Sequence, residues 1–201
     1  PNKLSGKRAL VTGAGTGIGR AIALEFARQG AAVALHYASS REGAYSAAAA
    51  IAALGGTAHC LQADLREVPA CLSLVDQAAD ALGGLDILVN NAGLTEEVWF
   101  LEATQEHFDR LYQVNIRGQF FCAQQAARRM LAGGGGGVII NLCSVHGFAG
   151  APRHSVYAGT KGAIIAFTRE LGVELAPMGI RVNGLAPGWT EVEGHWARYE
   201  G

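Results

Sequence analysis

The chain has 201 residues, half of them hydrophobic and 16% charged, with 16 basic against 17 acidic side chains. That is enough apolar surface for one domain to fold by burial alone, and the near-zero charge balance argues against nucleic acid or an anionic membrane as the main partner. The four cysteines (Cys60, Cys71, Cys122, Cys143) form no CxxC and have no histidine at ligand spacing, so no metal site is expected and a reducing cytoplasm suits them.

Short apolar runs alternate with longer helical patterns. Arg8–Thr12 reads as a strand, Ile18–Gln29 as a helix stopped by Gly30, and Ala32–Tyr37 as a second strand. The Ala-rich stretch Arg41–Leu54 reads as a helix, Ala58–Gln62 as a third strand and Val68–Leu82 as the helix after it. Leu85–Asn90 is a continuous apolar run, expected to be a strand buried on both faces. Thr104 can cap one long helix reaching Leu131, with Glu106 in its first turn. Five glycines, Gly133–Gly137, read as a flexible link before a fifth strand, Val138–Cys143. Val156–Ala176 is a helix ended by Pro177 and Gly179, and Ile180–Leu185 a sixth strand. Six strands joined by helices predict a single-domain, Rossmann-like α/β fold: a doubly wound parallel sheet in three α/β/α layers. No apolar run approaches the length of a membrane span, and Pro1–Arg8 carries no signal-peptide pattern.

The first strand runs through Thr12 into Gly13-Ala14-Gly15-Thr16-Gly17-Ile18-Gly19 and then a helix. A strand, a glycine turn and a helix N-terminus form a pyrophosphate site, because the backbone can approach closely and the helix dipole favours an anion. The spacing is GxxxGxG, with no Gly-Lys-Ser/Thr to suggest a Walker loop. The plainer alternative is a glycine turn that only allows tight helix–strand packing. The second strand ends in Tyr37-Ala38-Ser39-Ser40-Arg41, with no acid before Glu42. With no carboxylate to repel a 2′-phosphate, Ser39, Ser40 and Arg41 could donate to one, unless the serines merely cap the next helix.

Tyr157 and Lys161 stand four apart on one helix face. A free phenol, with a pKa of about 10, is a poor base at neutral pH. A nearby cation can pull it down far enough to make Tyr157 a proton donor and acceptor. Ser144 ends the fifth strand, at the carboxyl edge of the sheet where ligands bind in open α/β folds. The alternative for Ser144 is a cap or turn. Asn115, between Val114 and Ile116 inside the long helix, requires a buried partner or a bend.

Taken together these residues resemble the short-chain dehydrogenase/reductase family through essentially the whole chain. The glycine motif from Thr12 to Gly19, Asp64 with Leu65 after the third strand, and Asn90-Asn91-Ala92-Gly93 after the fourth all match its pattern. So do Asn115, Ser144, Tyr157 and Lys161, with the thirteen-residue step from Ser144 to Tyr157, and Pro187-Gly188 after the sixth strand. The resemblance implies an oxidoreductase that moves a hydride between a nicotinamide cofactor and a carbonyl or alcohol carbon. It implies that Ser144 polarises the substrate oxygen, Tyr157 transfers the proton, and Lys161 holds the nicotinamide ribose and tunes Tyr157. Asn115 would place a water linking Lys161 to solvent. Asp64 would contact adenine, Thr190 the carboxamide. NADP(H) is expected in preference to NAD(H), which stays possible. The substrate is expected to be a small carbonyl or alcohol compound, as for the 3-oxoacyl-thioester reductases and the sugar or polyol dehydrogenases that the chain resembles.

The family continues past Pro-Gly with a substrate-covering segment and a seventh strand. This chain reaches Gly201 shortly after Trp189–Tyr199, so it is expected to lack both, as an incomplete chain or a truncated relative. Pairing of the two long helices would make the full-length protein a homotetramer or dimer. Gly93–Phe100 and His146–His154 are left as pocket rims. A nucleotide-binding sensor or scaffold without catalysis is the alternative function. A metal hydrolase on the same kind of sheet finds no ligand cluster.

Overall fold

A computed structural model of the chain describes residues 2–192; the expectations that concern the segment 193–201, including a missing seventh strand, lie outside the described residues. Six parallel strands form one sheet: β1 (Arg8–Val11), β2 (Ala32–Tyr37), β3 (Ala58–Gln62), β4 (Ile87–Asn90), β5 (Gly137–Leu142) and β6 (Ile180–Leu185). Their order is β3-β2-β1-β4-β5-β6, so the chain reverses its direction of travel between β1 and β4. Such a switch point opens a crevice at the carboxyl ends of the strands.

Helices cover both faces. One apolar cluster joins the sheet to α1 (Gly17–Arg28) and α2 (Arg41–Ala53) through Ala23, Ala27, Ala47 and Ile51. The other joins it to α3 (Val68–Leu82), to α5 (Gln119–Ala132) and to the end of α6 (Ser155–Leu175) through Leu74, Ala126, Met130 and Leu175. Strand β1 has three of its four residues buried, as expected for a central parallel strand. A buried polar chain crosses the sheet beneath its carboxyl edge: the Asn90 amide donates to Asn141 Oδ1 at 3.0 Å, and Asn141 donates to Thr168 Oγ1 at 2.9 Å. Among the described residues, no helix is long and apolar enough to cross a membrane.

Two elements differ from their sequence expectation. The fourth strand starts at Ile87 because Asp86 is drawn to Arg8, whose backbone N–H and Nε both donate to its carboxylate at 2.8 Å. The single long helix is instead three pieces. Thr104 caps α4 (Gln105–Tyr112) by accepting the His107 N–H, a π-helical turn follows at Gln113–Gly118, and α5 resumes at Gln119. The widened turn surrounds Asn115, whose side chain bonds outside its own helix. Single π-helical turns of this kind inside α-helices are frequent at functional sites.

Candidate active site

The glycine turn after β1 is fixed from both sides. Thr12 is fully buried, and its Oγ1 accepts the N–H groups of Asn91 and Ala92, each at 3.0 Å. Asn91 Nδ2 returns bonds to the carbonyls of Thr12 at 2.9 Å and Gly13 at 3.1 Å. The turn and the segment after β4 are thus stitched together across the switch point. Gly19 cannot be replaced, since a Cβ there would lie 2.3 Å from Gly13 O. A second close approach was not foreseen from the sequence. A Cβ on Gly43, in the first turn of α2, would fall 2.0 Å from Gly15 O, while one on Gly15 would meet Ser40 O at 2.6 Å. The start of α2 therefore rests on the glycine turn, and two helix N-termini converge there. Neither Thr16 nor Ser40 uses its side chain as a cap. Converging positive dipole ends and room for close backbone approach fit the pyrophosphate of a dinucleotide.

At the end of β2, the exposed Arg41 guanidinium lies 5.1 Å from the centre of the Tyr45 ring, and the neighbouring Tyr45 and Tyr37 favour its charged form. Tyr37 itself is buried with its ring edge-on to Tyr45, so it shapes this corner by supporting Arg41. Ser39 is exposed and Ser40 half-buried beside it. Asp64 follows β3 as expected, but its carboxylate is gripped by Arg66 at 2.6 Å, which holds its pKa below the usual carboxylate range. Leu65 is buried next to it.

A cleft of about 1260 Å³ runs from the glycine turn to the residues expected to be catalytic. Thr16, Ile18, Asn91 and Gly93 line one end, and Ser144, Tyr157, Lys161, Pro187, Gly188 and Thr190 the other. Ser144 leaves β5 in extended conformation and caps the short 3-10 turn Val145–Gly147 by accepting the His146 N–H at 3.2 Å. The cap alternative and the site position therefore hold at once. Its side chain also lies near the Tyr157 phenol, whose charged form it favours. Lys161, one turn along α6, is 4% exposed and donates to Leu142 O at 2.8 Å, with Nζ 5.6 Å from the Tyr157 ring centre.

The expectation that Lys161 lowers the Tyr157 pKa is not met in this arrangement. Burial raises the phenol above its ordinary value, and the group opposing that rise is Ser144. Burial also pulls the lysine down to about 8, against a smaller opposing effect of Cys143. Desolvation is the largest effect on both groups, and neither figures among the groups that shift the other.

Asn115 is fully buried, with its side chain bonded on both ends. Its Oδ1 accepts Leu94 N–H at 2.7 Å, and its Nδ2 donates to Leu94 O at 2.9 Å and Thr160 Oγ1 at 3.0 Å. Thr160 in turn donates to Tyr157 O at 2.7 Å. Both Asn115 amide hydrogens are thus committed, while Oδ1 keeps one acceptor position beyond the Leu94 N–H. The side chain ties the rim after Gly93 to the helix that carries Tyr157.

The two rims expected from the sequence are joined to each other. Val98 N–H donates to Arg153 O at 2.9 Å, and the Arg153 guanidinium pairs with Glu97 at 3.1 Å and lies 6.0 Å from the Trp99 ring centre. Arg153, with φ 68°, is the one non-glycine residue at positive φ among the described residues. The signals that could have found the missed residues were local. Gly43 weakens the start of a helix, which asks for a packing reason. His36 is a polar side chain in the apolar strand AVALHY, which asks for partners.

The profile of the short chain dehydrogenase family matches residues 7–200. A short-chain dehydrogenase/reductase of Pestalotiopsis microspora is 44% identical over 190 residues, spanning 94% of this chain and 71% of that protein. Elsinochrome reductase 1 of Elsinoe fawcettii is 43% identical over 193 residues, spanning 96% of this chain and 71% of its own length. Among solved structures, a short chain dehydrogenase from Burkholderia cenocepacia J2315 in complex with NADP superposes with a TM-score of 0.91 at 42% identity. It covers 95% of this chain, which spans 77% of that one.

Proposed function

The chain belongs to the short-chain dehydrogenase family, and we propose that it interconverts a carbonyl and a secondary alcohol of a small molecule, with NADP(H) preferred over NAD(H). The observation that carries this reading is the single cleft joining the glycine turn to Ser144, Tyr157 and Lys161. The nicotinamide of a bound dinucleotide supplies or accepts the hydride; the chain supplies position and protons. Ser144 Oγ, oriented by the His146 N–H, holds the substrate oxygen. Tyr157 Oη transfers the proton. Burial favours its neutral phenol, the form that can protonate a carbonyl oxygen as it is reduced. Lys161 Nζ carries its charge below about pH 8 and has donors to spare beyond Leu142 O for the ribose hydroxyls. Asn115 contributes through Leu94 and Thr160, keeping the rim and the Tyr157 helix in register.

The cofactor preference is supported by the acid-free end of β2, by Arg41 steadied on Tyr45, and by the NADP-bound relative. A homodimer or homotetramer is supported by the exposed apolar side chains Phe108, Phe120 and Val173 on the helices expected to pair; light scattering at micromolar concentration that finds only monomer argues against it. A cytoplasmic location is supported by the four free cysteines. The direct test of function is a panel of ketones and secondary alcohols, read at the reduced-nicotinamide absorbance band with each cofactor. Nucleotide binding without turnover of any compound favours the sensor reading over the enzyme.

A further inference from the structure

We propose that His36 is a positioning residue of the nucleotide site, a strut that fixes the glycine turn against the end of β3. The proposal rests on the reading of that turn as a dinucleotide site. His36 is the fifth residue of β2 and is 1% exposed. The residues before it, Val33, Ala34 and Leu35, fill the core with hydrocarbon alone. The imidazole instead uses both nitrogens. Nδ1 accepts the Gly13 N–H at 3.1 Å, and Nε2 stands 3.1 Å from Ala63 O. An amide can only donate and a carbonyl can only accept, so the ring is the Nε2–H tautomer. Its own carbonyl accepts the Ala14 N–H at 2.8 Å. One residue thus holds the first two amides of the glycine turn. The same ring grips the carbonyl just before Asp64 and Leu65, the segment expected against adenine.

The two attachments lie on opposite sides of β2, on the turn after β1 and the end of β3. A bound dinucleotide would span that gap, with pyrophosphate at one attachment and adenosine at the other. The ring therefore fixes the spacing that the ligand has to match. Burial keeps it neutral, with a pKa pulled down to about 4, so the acceptor nitrogen stays available to Gly13 under all ordinary conditions. An imidazolium would point an N–H at an N–H. A histidine that only filled the core would affect stability and leave cofactor affinity alone in the surviving folded protein.

The two bonds can be separated by substitution. In His36→Asn the amide oxygen takes the place of Nδ1 and keeps the Gly13 bond, whereas His36→Gln places a donor near Nε2 and keeps the Ala63 bond. Binding of NADPH is measured by fluorescence titration of the full chain, beside thermal unfolding without nucleotide. Each variant breaks one of the two attachments that fix the spacing, so each is expected to loosen NADPH about tenfold. In turnover the change falls on KM for the cofactor more than on kcat. Parent-like affinity in either variant, or losses that only follow the fall in Tm, overturn the proposal. Nitrogen NMR of the unmodified protein gives a check that needs no variant: a protonated Nδ1 on His36 overturns it. A parent chain that binds neither NADPH nor NADH overturns the dinucleotide reading and this proposal together, whereas a loss confined to the variants bears on His36 alone.

Discussion

Replacing Lys161 by Met is expected to destroy activity and stabilise the fold. The ammonium is 4% exposed, and burial lowers its pKa from the ordinary 10.5 to about 8. At about 1.36 kcal/mol per pH unit, keeping that charge inside costs the folded state about 3 kcal/mol below pH 8. Methionine fills similar volume without a charge. It leaves Leu142 O without the Nζ donor, which costs about 1 kcal/mol. The net gain at pH 7 is about 2 kcal/mol, or a Tm higher by about 4–8 °C in a chain of this size. The pH dependence has a definite sign. Between pH 8 and 10.5 the unfolded chain binds a proton that the folded chain has released, so the parent gains stability as pH rises through that window. The variant has no such group and no such gain. Urea unfolding of both proteins at pH 7 and near pH 10 measures the gap and its closure. A variant less stable than the parent at pH 7, or a gap that does not narrow with rising pH, refutes the reasoning.

Tyr157→Phe keeps the ring packing and removes the transferable proton, so turnover should fall by about 10²–10⁴-fold while cofactor binding survives; near-normal turnover of well-folded variant sinks the mechanism. Ser144→Ala should lower kcat with little change in cofactor affinity, and steady-state kinetics beside a nucleotide titration separate the two. Arg41→Ala should weaken NADPH by about tenfold, the scale of a charge-assisted hydrogen bond, and leave NADH nearly untouched; parallel loss of both nucleotides would falsify its assignment to the 2′-phosphate. Gly43→Ala pushes a methyl to within 2.0 Å of Gly15 O, so it should lower both Tm and nucleotide affinity even though alanine is the better helix former; a Tm rise would show that α2 can move off the turn.

What was legible in the sequence depended on range. The strands were readable because each is a short apolar run closed by a turn residue, and the glycine motif was readable because all its parts are adjacent. Asn115 shows the limit. A polar residue between Val114 and Ile116 demanded a partner or a bend, and the structure supplies both, yet nothing local names Leu94 and Thr160 as the partners. The Lys161 effect on Tyr157 failed for the same reason, since the depth of both side chains is a property of the assembled site. The cap and site readings of Ser144 looked like rivals only because a linear pattern does not show that one oxygen can accept an amide and face a cleft. The joined rims were out of reach, because Glu97, Trp99 and Arg153 meet only when two distant loops fold over the same cleft.

The widened turn at Gln113–Gly118 also corrects a phase error. The buried positions of α4 are His107 and Leu111, and those of α5 run through Gln119, Cys122, Ala126 and Met130. On an unbroken α-helix those two sets would face directions roughly 100° apart, the angle contributed by a single residue. One extra residue in the turn absorbs that angle, so both helices present their apolar stripes to the same side. A single helical wheel drawn across 104–131 therefore smears the stripe, and the segment looks less amphipathic than either half is. The same arithmetic says what the extra residue is for. Removing one residue from the turn would leave a regular helix with both stripes still in phase, so the widening serves Asn115, which reaches Leu94 and Thr160 from inside it.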